Sequence, residues 1–363
     1  MTSVFDRDVH CLFGLPIDAI TLDQACLRII DHMREQKKCL LTTPNLNFLI
    51  TSFQDAAFRK SVICSHLVIA DGMPLVWLSR LLGIPVKERV AGSDLFNVLR
   101  DMPANPKIRV YFFGGPPGAA DLAAKNINQY AAGMTCTGQQ SPGYLPVHEI
   151  SSPDHLDPIN QADPDFLVIA LGARKGQEWI MRNADNLNAR VISHLGAVVN
   201  FEAGTVLRAP DWMQQTGLEW LWRIRQEPAL WRRYMQDGAG FVRLFFFRAL
   251  PLLYLRYRHR QHPGQDNASH PIHIQQPALF TGTLRNPVPQ SFRDWLQQAA
   301  QSGQDVTIDC HDCHFIDSGY LGQLLVLEQQ LAANGHRLKL TGCSPRLKKL
   351  LTLNRCDHWT THA

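Results

Sequence analysis

Four short constellations stand where buried apolar runs end, and their side chains suit the binding of a sugar, a proton or an anion. Thr43-Pro44-Asn45-Leu46-Asn47 follows the run from Cys39 to Thr43, and its short polar groups fit the hydroxyls of a sugar or the edge of a base. Asp71 follows Leu67 to Ala70. A carboxylate at such a position is partly desolvated, which raises its pKa and makes it a better proton acceptor; the same residue type also serves as a helix N-cap. In Glu88 to Asp94, Arg89 is placed to bind an anion, or to sit solvated on the surface, while Ser93 or Asp94 caps the helix that follows. Phe112 to Gly118 is a glycine-rich turn between a strand and a helix, which can bring backbone N–H groups to a phosphate.

A fifth feature is electrostatic. The stretch from Gly204 to Pro228 joins an Arg208-Ala209-Pro210-Asp211-Trp212 turn to a helix rich in tryptophan and arginine. Pro210 can open a helix, Asp211 then sits in a first turn that favours an anion, and Glu219 and Arg223 have the spacing of a helical ion pair. From Arg208 to His262 there are ten arginines, no lysine and four acidic residues, a net +6 in a chain whose total is +4. Eleven aromatic residues share that segment. Arginine with aromatics suits a surface that meets anionic headgroups; the plainer alternative is a helical subdomain with solvated arginines and core tryptophans. No zinc finger, RRM or basic zipper accompanies the charge, so nucleic acid is not the expected partner. The run from Leu244 to Leu255 is interrupted by Arg248 and Pro251 and is shorter than the roughly 20 residues of a spanning helix, so contact along a membrane surface is expected.

These residues need a scaffold. Apolar runs at 39–43, 67–70, 108–113, 166–171 and 189–193 read as buried strands, with helices at 21–35, 75–82, 94–102 and 119–130 between them. That alternation predicts an α/β fold, a Rossmann-like and mostly parallel sheet whose sites lie beyond the carboxyl ends of the strands. A nicotinamide site is not expected: the G-x-G-x-x-G pattern and its acidic residue about 20 positions on are both missing. A chain of 363 residues has room for two cores. Composition turns polar and rich in Pro and Gly between His259 and His273, the pattern of a linker, and a strand and helix pattern then resumes at 305–309, 321–334, 337–341 and 345–353. The nine cysteines show no framework spacing and the first residues show no signal-peptide pattern, so reduced thiols in a cytoplasm are expected.

With these motifs in order, residues from about 10 to 240 resemble the bacterial glycosyltransferase family that includes the N-acetylmannosaminyltransferases of wall teichoic acid synthesis and the N-acetylmannosaminuronic acid transferases of enterobacterial common antigen. The resemblance rests on T-P-N-L-N, A-D-G-M-P-L-V-W, E-R-V-A-G-S-D-L, F-F-G-G-P-P-G, L-G-A-R-K-G-Q-E-W-I and R-A-P-D-W with G-L-E-W. It implies inverting transfer, without metal or cofactor, from a UDP-sugar to a polyprenyl-diphosphate-linked GlcNAc at the inner membrane face. On that resemblance Asp71 is the general base, Thr43 and Asn45 lie beside it, and Arg89, Gln177 and Arg208 contact substrate. Arg223, Arg232 and Arg233 are further contacts for a diphosphate or a membrane. Two departures stand out: the family's Gly-x-Pro-Lys-Gln-Glu turn is here Gly172-Ala-Arg-Lys-Gly-Gln177-Glu178, and its Phe-Asp is here Val199-Asn200.

Residues from about 275 to 363 resemble STAS domains through V-T-I-D-C, F-I-D-S-G-Y-L-G and G-H-R-L-K-L-T-G-C-S-P. In phosphoregulated members of that group a serine at the helix start takes phosphate; that position is Gly319 here, with Ser318 beside it as the regulatory candidate. A protein-docking module is the expectation. Cys310-His-Asp-Cys313-His314 also spells a haem-attachment motif, but two structural cysteines suit its place between a strand and a turn. The expected organisation is an α/β transferase core over 1–205, a basic aromatic helical appendage over 206–258, a linker over 259–274 and a small α/β STAS domain over 275–363. The whole reads as a peripheral membrane enzyme of surface-polysaccharide synthesis, whose partners are the UDP-sugar, the lipid-linked acceptor, the membrane and a protein bound by the STAS domain. The other reading is a non-catalytic scaffold that acts through STAS binding.

Overall fold

The computed structural model describes residues 3–261 and 277–360, and its contacts group the chain into two units. Most of the expected linker lies outside the described residues. The boundaries expected along the chain divide it into consecutive pieces, whereas the contacts place Met1–Ala19, Trp77–Val86 and Gly238–Ala363 together and leave Ile20–Val76 and Lys87–Asp237 as the other unit.

That larger unit carries the four constellations expected at strand ends. Its sheet has six strands, β3 (Cys39–Thr42), β4 (Leu67–Val68), β5 (Ile108–Gly114), β6 (Met134–Gln140), β7 (Phe166–Ala170) and β8 (Val191–His194), in the order β4-β3-β8-β7-β5-β6. All neighbours are parallel. Helices pack on both faces, which is why the strands are apolar at successive positions instead of alternating with polar residues. Neighbouring side chains still part to opposite faces: Leu41, Phe112, Val168 and Val191 enter one core with Phe96 and Phe166, while Leu40, Phe113, Ile169 and Ile192 enter the other with Trp179. The Trp179 ring stacks on Phe113 at 4.7 Å, and its Nε1–H donates to Ile150 O at 2.9 Å, so the large ring is buried with its polar tip satisfied. Each such aromatic burial is worth about 2–3 kcal/mol.

Strand β6, absent from the apolar runs, is an edge strand with polar and glycine residues; at Gly138 a Cβ would come 2.5 Å from the Tyr111 ring. The glycine turn after β5 is first a packing device. At Gly114, with φ of 102°, a Cβ would lie 2.6 Å from Ala170 O, and the N–H of Gly115 donates to that same carbonyl at 2.8 Å. One of the amides expected to face a phosphate is therefore spent on holding β5 to β7.

In the other unit β1 (Val9–Leu12) and β2 (Leu15–Asp18) form an antiparallel hairpin turned by Phe13 and Gly14, both at positive φ (50° and 85°). Two positive φ values make the type I′ geometry that matches strand twist, reached here with Phe-Gly where Asn-Gly is usual. The STAS region places β9 (Ala278–Leu279), β11 (Val306–Asp309) and β13 (Leu338–Thr341) in one parallel sheet, in the order β13-β11-β9. It pairs β10 (Gly282–Leu284) with β12 (Cys313–Ile316). Its helices are Gln290–Gln301, Ser318–Ala333 and Pro345–Leu353.

The appendage differs from expectation in one respect. Trp231–Leu244, a π turn at Phe245–Ala249 and Leu250–Gln261 follow one another without a break. Among the described residues this gives one helical run, Pro228–Arg258, of 31 residues, long and apolar enough to cross a membrane. Helical continuity sets that length, not the uninterrupted apolar run. Pro251 follows the π turn, where the hydrogen-bond register is already shifted and a missing N–H costs less.

Candidate active site

Asp71 sits beyond the carboxyl end of β4, on a loop fastened to its neighbours: its own N–H donates to Pro44 O at 2.9 Å, and the N–H of Val90 donates to Ala70 O at 3.0 Å. Its carboxylate accepts the backbone N–H of Gly92. Burial pushes Asp71 up to about 7; Arg89 opposes that rise, while Glu219 and Asp94 add to it. The side chain nonetheless keeps partial access to solvent. Gly92, which opens the helix Gly92–Asp101, has no room for a side chain: a Cβ would come 2.3 Å from Leu195 and 3.2 Å from Thr43. Thr43 is thereby placed beside the Asp71 loop.

Asn45 lies close by, its Cβ 3.6 Å from where a Cβ on Gly72 would stand. Its Oδ1 has a structural task, accepting the Phe48 N–H at 3.2 Å as the N-cap of Leu46–Gln54. Gln177 is buried and donates to Thr42 Oγ1 at 3.4 Å, and Thr42 bonds Ser65 in turn at 2.6 Å. The structure thus places Gln177 in the packed floor of β3.

The arginines form a tight cluster. Arg89 donates to Glu219 at 2.8 Å and to Asp94 at 2.9 Å; Arg208 bonds the other oxygen of Asp94. Gln214 Oε1 bridges the two guanidiniums at 3.3 and 3.0 Å. Arg208 is held in place from the appendage, where the Leu207 carbonyl accepts from Trp222 Nε1 at 3.0 Å and Gln226 Nε2 at 2.8 Å. The Phe201 ring then faces two guanidiniums, Arg208 at 5.7 Å and Arg223 at 5.8 Å. The Nε–H of each is buried with no acceptor among the described residues.

The helical spacing of Glu219 and Arg223 predicts a pair that does not form. Glu219 turns to Arg89, and Arg223 binds Glu227 at 2.8 Å, because Arg89 from the sheet domain offers Glu219 a half-buried partner. Arg232 and Arg233 are exposed and lie over the rings of Trp231 and Tyr234 at 5.6 and 5.2 Å.

Asp94, Gln214 and Glu219 join the site without having been singled out for it, and His194 is a further buried titratable group at a strand end. Asp94 reads locally as a helix cap, and Glu219 as half of a helical pair. His194 ends β8; burial pushes its pKa down to about 4, and its Nε2 has no partner among the described residues. Gly176 makes way for that ring, since a Cβ there would come 2.4 Å from it. A polar residue directly after the buried run 189–193 was the available signal for His194. Among the described residues no group of three or more His, Cys, Asp or Glu is placed to hold a metal.

The chain is 26% identical to the N-acetylglucosaminyldiphosphoundecaprenol N-acetyl-beta-D-mannosaminyltransferase of Bacillus spizizenii over 204 residues, 56% of this chain and 77% of the relative. It is 27% identical to the enzyme of the same name from Bacillus subtilis over 206 residues, 56% of this chain and 78% of the relative. For the Staphylococcus aureus enzyme of that name the figures are 21% over 214 residues, 58% and 82%. A STAS domain description matches residues 280–361. The glycosyl transferase WecG/TagA/CpsF description matches residues 10–253, about two thirds of the chain, and spans both the Asp71 loop and the arginines that face it. That match covers more than half of the chain, and this chain belongs to the WecG/TagA/CpsF glycosyltransferase family.

Proposed function

We propose that the enzyme moves an N-acetylmannosamine-type sugar from a UDP donor to a polyprenyl-diphosphate-linked GlcNAc, with inversion and without a metal. The observation that carries this reading is a strand-end carboxylate, pushed up to about 7 by burial, that faces Arg89, whose partner Asp94 also holds Arg208. Asp71 takes the proton of the acceptor hydroxyl as its oxygen forms the new bond to the anomeric carbon. The bond from that carbon to the UDP oxygen breaks on the opposite face. The charge that builds on the diphosphate is met by Arg89 and Arg208, with the unpaired Nε–H groups of Arg208 and Arg223 as further donors. The same arginines now bind Asp94 and Glu219, so the diphosphate competes with two carboxylates. Release of UDP from a UDP-sugar panel, with a short-chain lipid-diphosphate acceptor, tests the reading; no turnover with any pair would sink it.

Since Asp71 must be ionised to act, kcat/KM should fall about tenfold per pH unit below about 7. Glu219→Gln removes a negative charge that raises Asp71, and its acidic limb should move down by about half a pH unit or more. A limb that stays in place would exclude Glu219 from setting the basicity of Asp71.

The appendage suits a place along the inner face of the plasma membrane. Phe246, Phe247, Tyr254 and Tyr257 are 56–73% exposed, and six arginines against one acidic residue lie between Pro228 and Arg258. Although the run is long enough to span, the Arg248 guanidinium donates to Thr352 O at 2.7 Å and Leu353 O at 2.9 Å, so one side faces protein, as an interfacial helix requires. Replacing Phe246 and Phe247 together by Glu should abolish flotation with phosphatidylglycerol vesicles while turnover of a water-soluble acceptor survives. Unchanged flotation would count against this placement.

A further inference from the structure

The long STAS helix, Ser318–Ala333, has no exposed face over its first ten residues: every residue from Ser318 to Leu327 is buried. A helix in a small domain is covered all round only if something lies on each side of it. One cover is the chain's own N-terminal hairpin. The approach is backbone to backbone, since a Cβ on Gly322 would come 2.4 Å from Val9 O and 2.9 Å from His10 Cα. Gln323 Nε2 donates to Phe5 O at 3.2 Å and Arg7 O at 2.7 Å, and Arg293 reaches the same two carbonyls. Val9, Cys11, Leu12, Phe13, Leu15 and Ile17 are all buried.

The helix start, which would have to be open for modification or docking, is occupied as well. The Ser318 hydroxyl lies 3.1 Å from His10 Nδ1 and accepts from Asn286 Nδ2 at 3.2 Å; Asn286 Oδ1 takes the Gly319 N–H at 3.1 Å. Asp317, which caps this helix, also pairs with Arg256 of the appendage helix at 3.4 Å. Arg248, from the same appendage helix, binds the last carbonyls of Pro345–Leu353, the end of a helix that favours a cation.

We infer that the STAS module works in cis: its ligands are the chain's own N-terminal hairpin and the inner side of the appendage helix, which it holds with the aromatic side outward. The consequence for lipid contact rests on the membrane reading above, whereas the docking itself does not.

Hydrogen exchange on the full chain tests it. Gly322→Ala strengthens the helix by propensity while its methyl group meets the hairpin backbone. Amides of residues 9–18 should then exchange at least tenfold faster, while the STAS strands keep their protection. Gln323→Leu removes two hydrogen bonds without adding bulk and should give a smaller change in the same residues, which keeps the test decisive if Gly322→Ala unfolds the module. Arg248→Gln should speed exchange over 246–257 and weaken flotation with phosphatidylglycerol vesicles. Hairpin protection equal to wild type in both helix variants, or appendage protection unchanged in Arg248→Gln, would overturn the inference. A wild-type protein that does not float would sink the membrane reading and leave the exchange result to decide the docking.

Discussion

Asp71→Asn is expected to lower sugar transfer by about a thousandfold, within the range for loss of a general base, while making the protein more stable at pH 8. Asparagine keeps the shape of the side chain but cannot take the acceptor's proton. The stability gain follows from the raised pKa. A carboxylate whose folded pKa is about 7 and whose unfolded value is near 3.8 contributes stability that is full below about 4 and is lost as pH rises through 7. His194 works in the other direction: with a folded value near 4 and an ordinary value of 6.5, its contribution is full above 6.5 and is lost as pH falls through 4. Between about 4 and 6.5 the two slopes oppose, each about 1.4 kcal/mol per pH unit at most. Asp71→Asn removes one of them, so its melting temperature should fall more steeply than that of wild type on acidification across that window. Melting curves at several pH values and initial rates of UDP release together separate a lost base from a lost fold. An active asparagine variant would remove Asp71 from the mechanism.

Arg208→Ala should cost about 10²- to 10³-fold in kcat/KM, the scale of losing one charged donor to a developing oxyanion. It also leaves Asp94 with Arg89 alone and takes a cation from the face of Phe201. Arg208→Lys should recover little, because an ammonium lacks both the planar guanidinium that lies over the Phe201 ring and the Nε–H that Arg208 keeps unpaired among the described residues. Calorimetric binding of UDP should weaken in both variants. Full affinity for UDP together with lost turnover would place Arg208 with the acceptor instead of the leaving group.

The route from chain to site was legible where local pattern and tertiary role coincide. Apolar runs marked β3, β4, β5, β7 and β8, and the polar residues just beyond β3 and β4 are the ones that gather at the site. Edge strand β6 escaped because solvent on one side leaves its composition polar. The hairpin at Val9–Asp18 escaped for the opposite reason: buried on both faces and turned by Phe-Gly, it shows neither alternation nor the usual turn residues. Gln177 and Asn45 each have one polar atom with a structural task, Gln177 Nε2 in the floor of the sheet and Asn45 Oδ1 as a helix cap, which no local pattern announces.

By itself the sequence determined the fold class, the family, the strand-end place of the Asp71 carboxylate and the concentration of arginine beyond residue 204, because each is written in residue type and spacing along the chain. Only the tertiary structure decided which arginine meets which carboxylate, and so how far Asp71 is raised. Glu219 has a helical neighbour four residues away and a sheet-domain partner 130 residues away, and it takes the distant one. Local spacing specifies which contacts are open to a side chain. Burial and the competition among partners brought close by folding select the one that forms, and they also turn the first nineteen residues into part of the unit formed by the last.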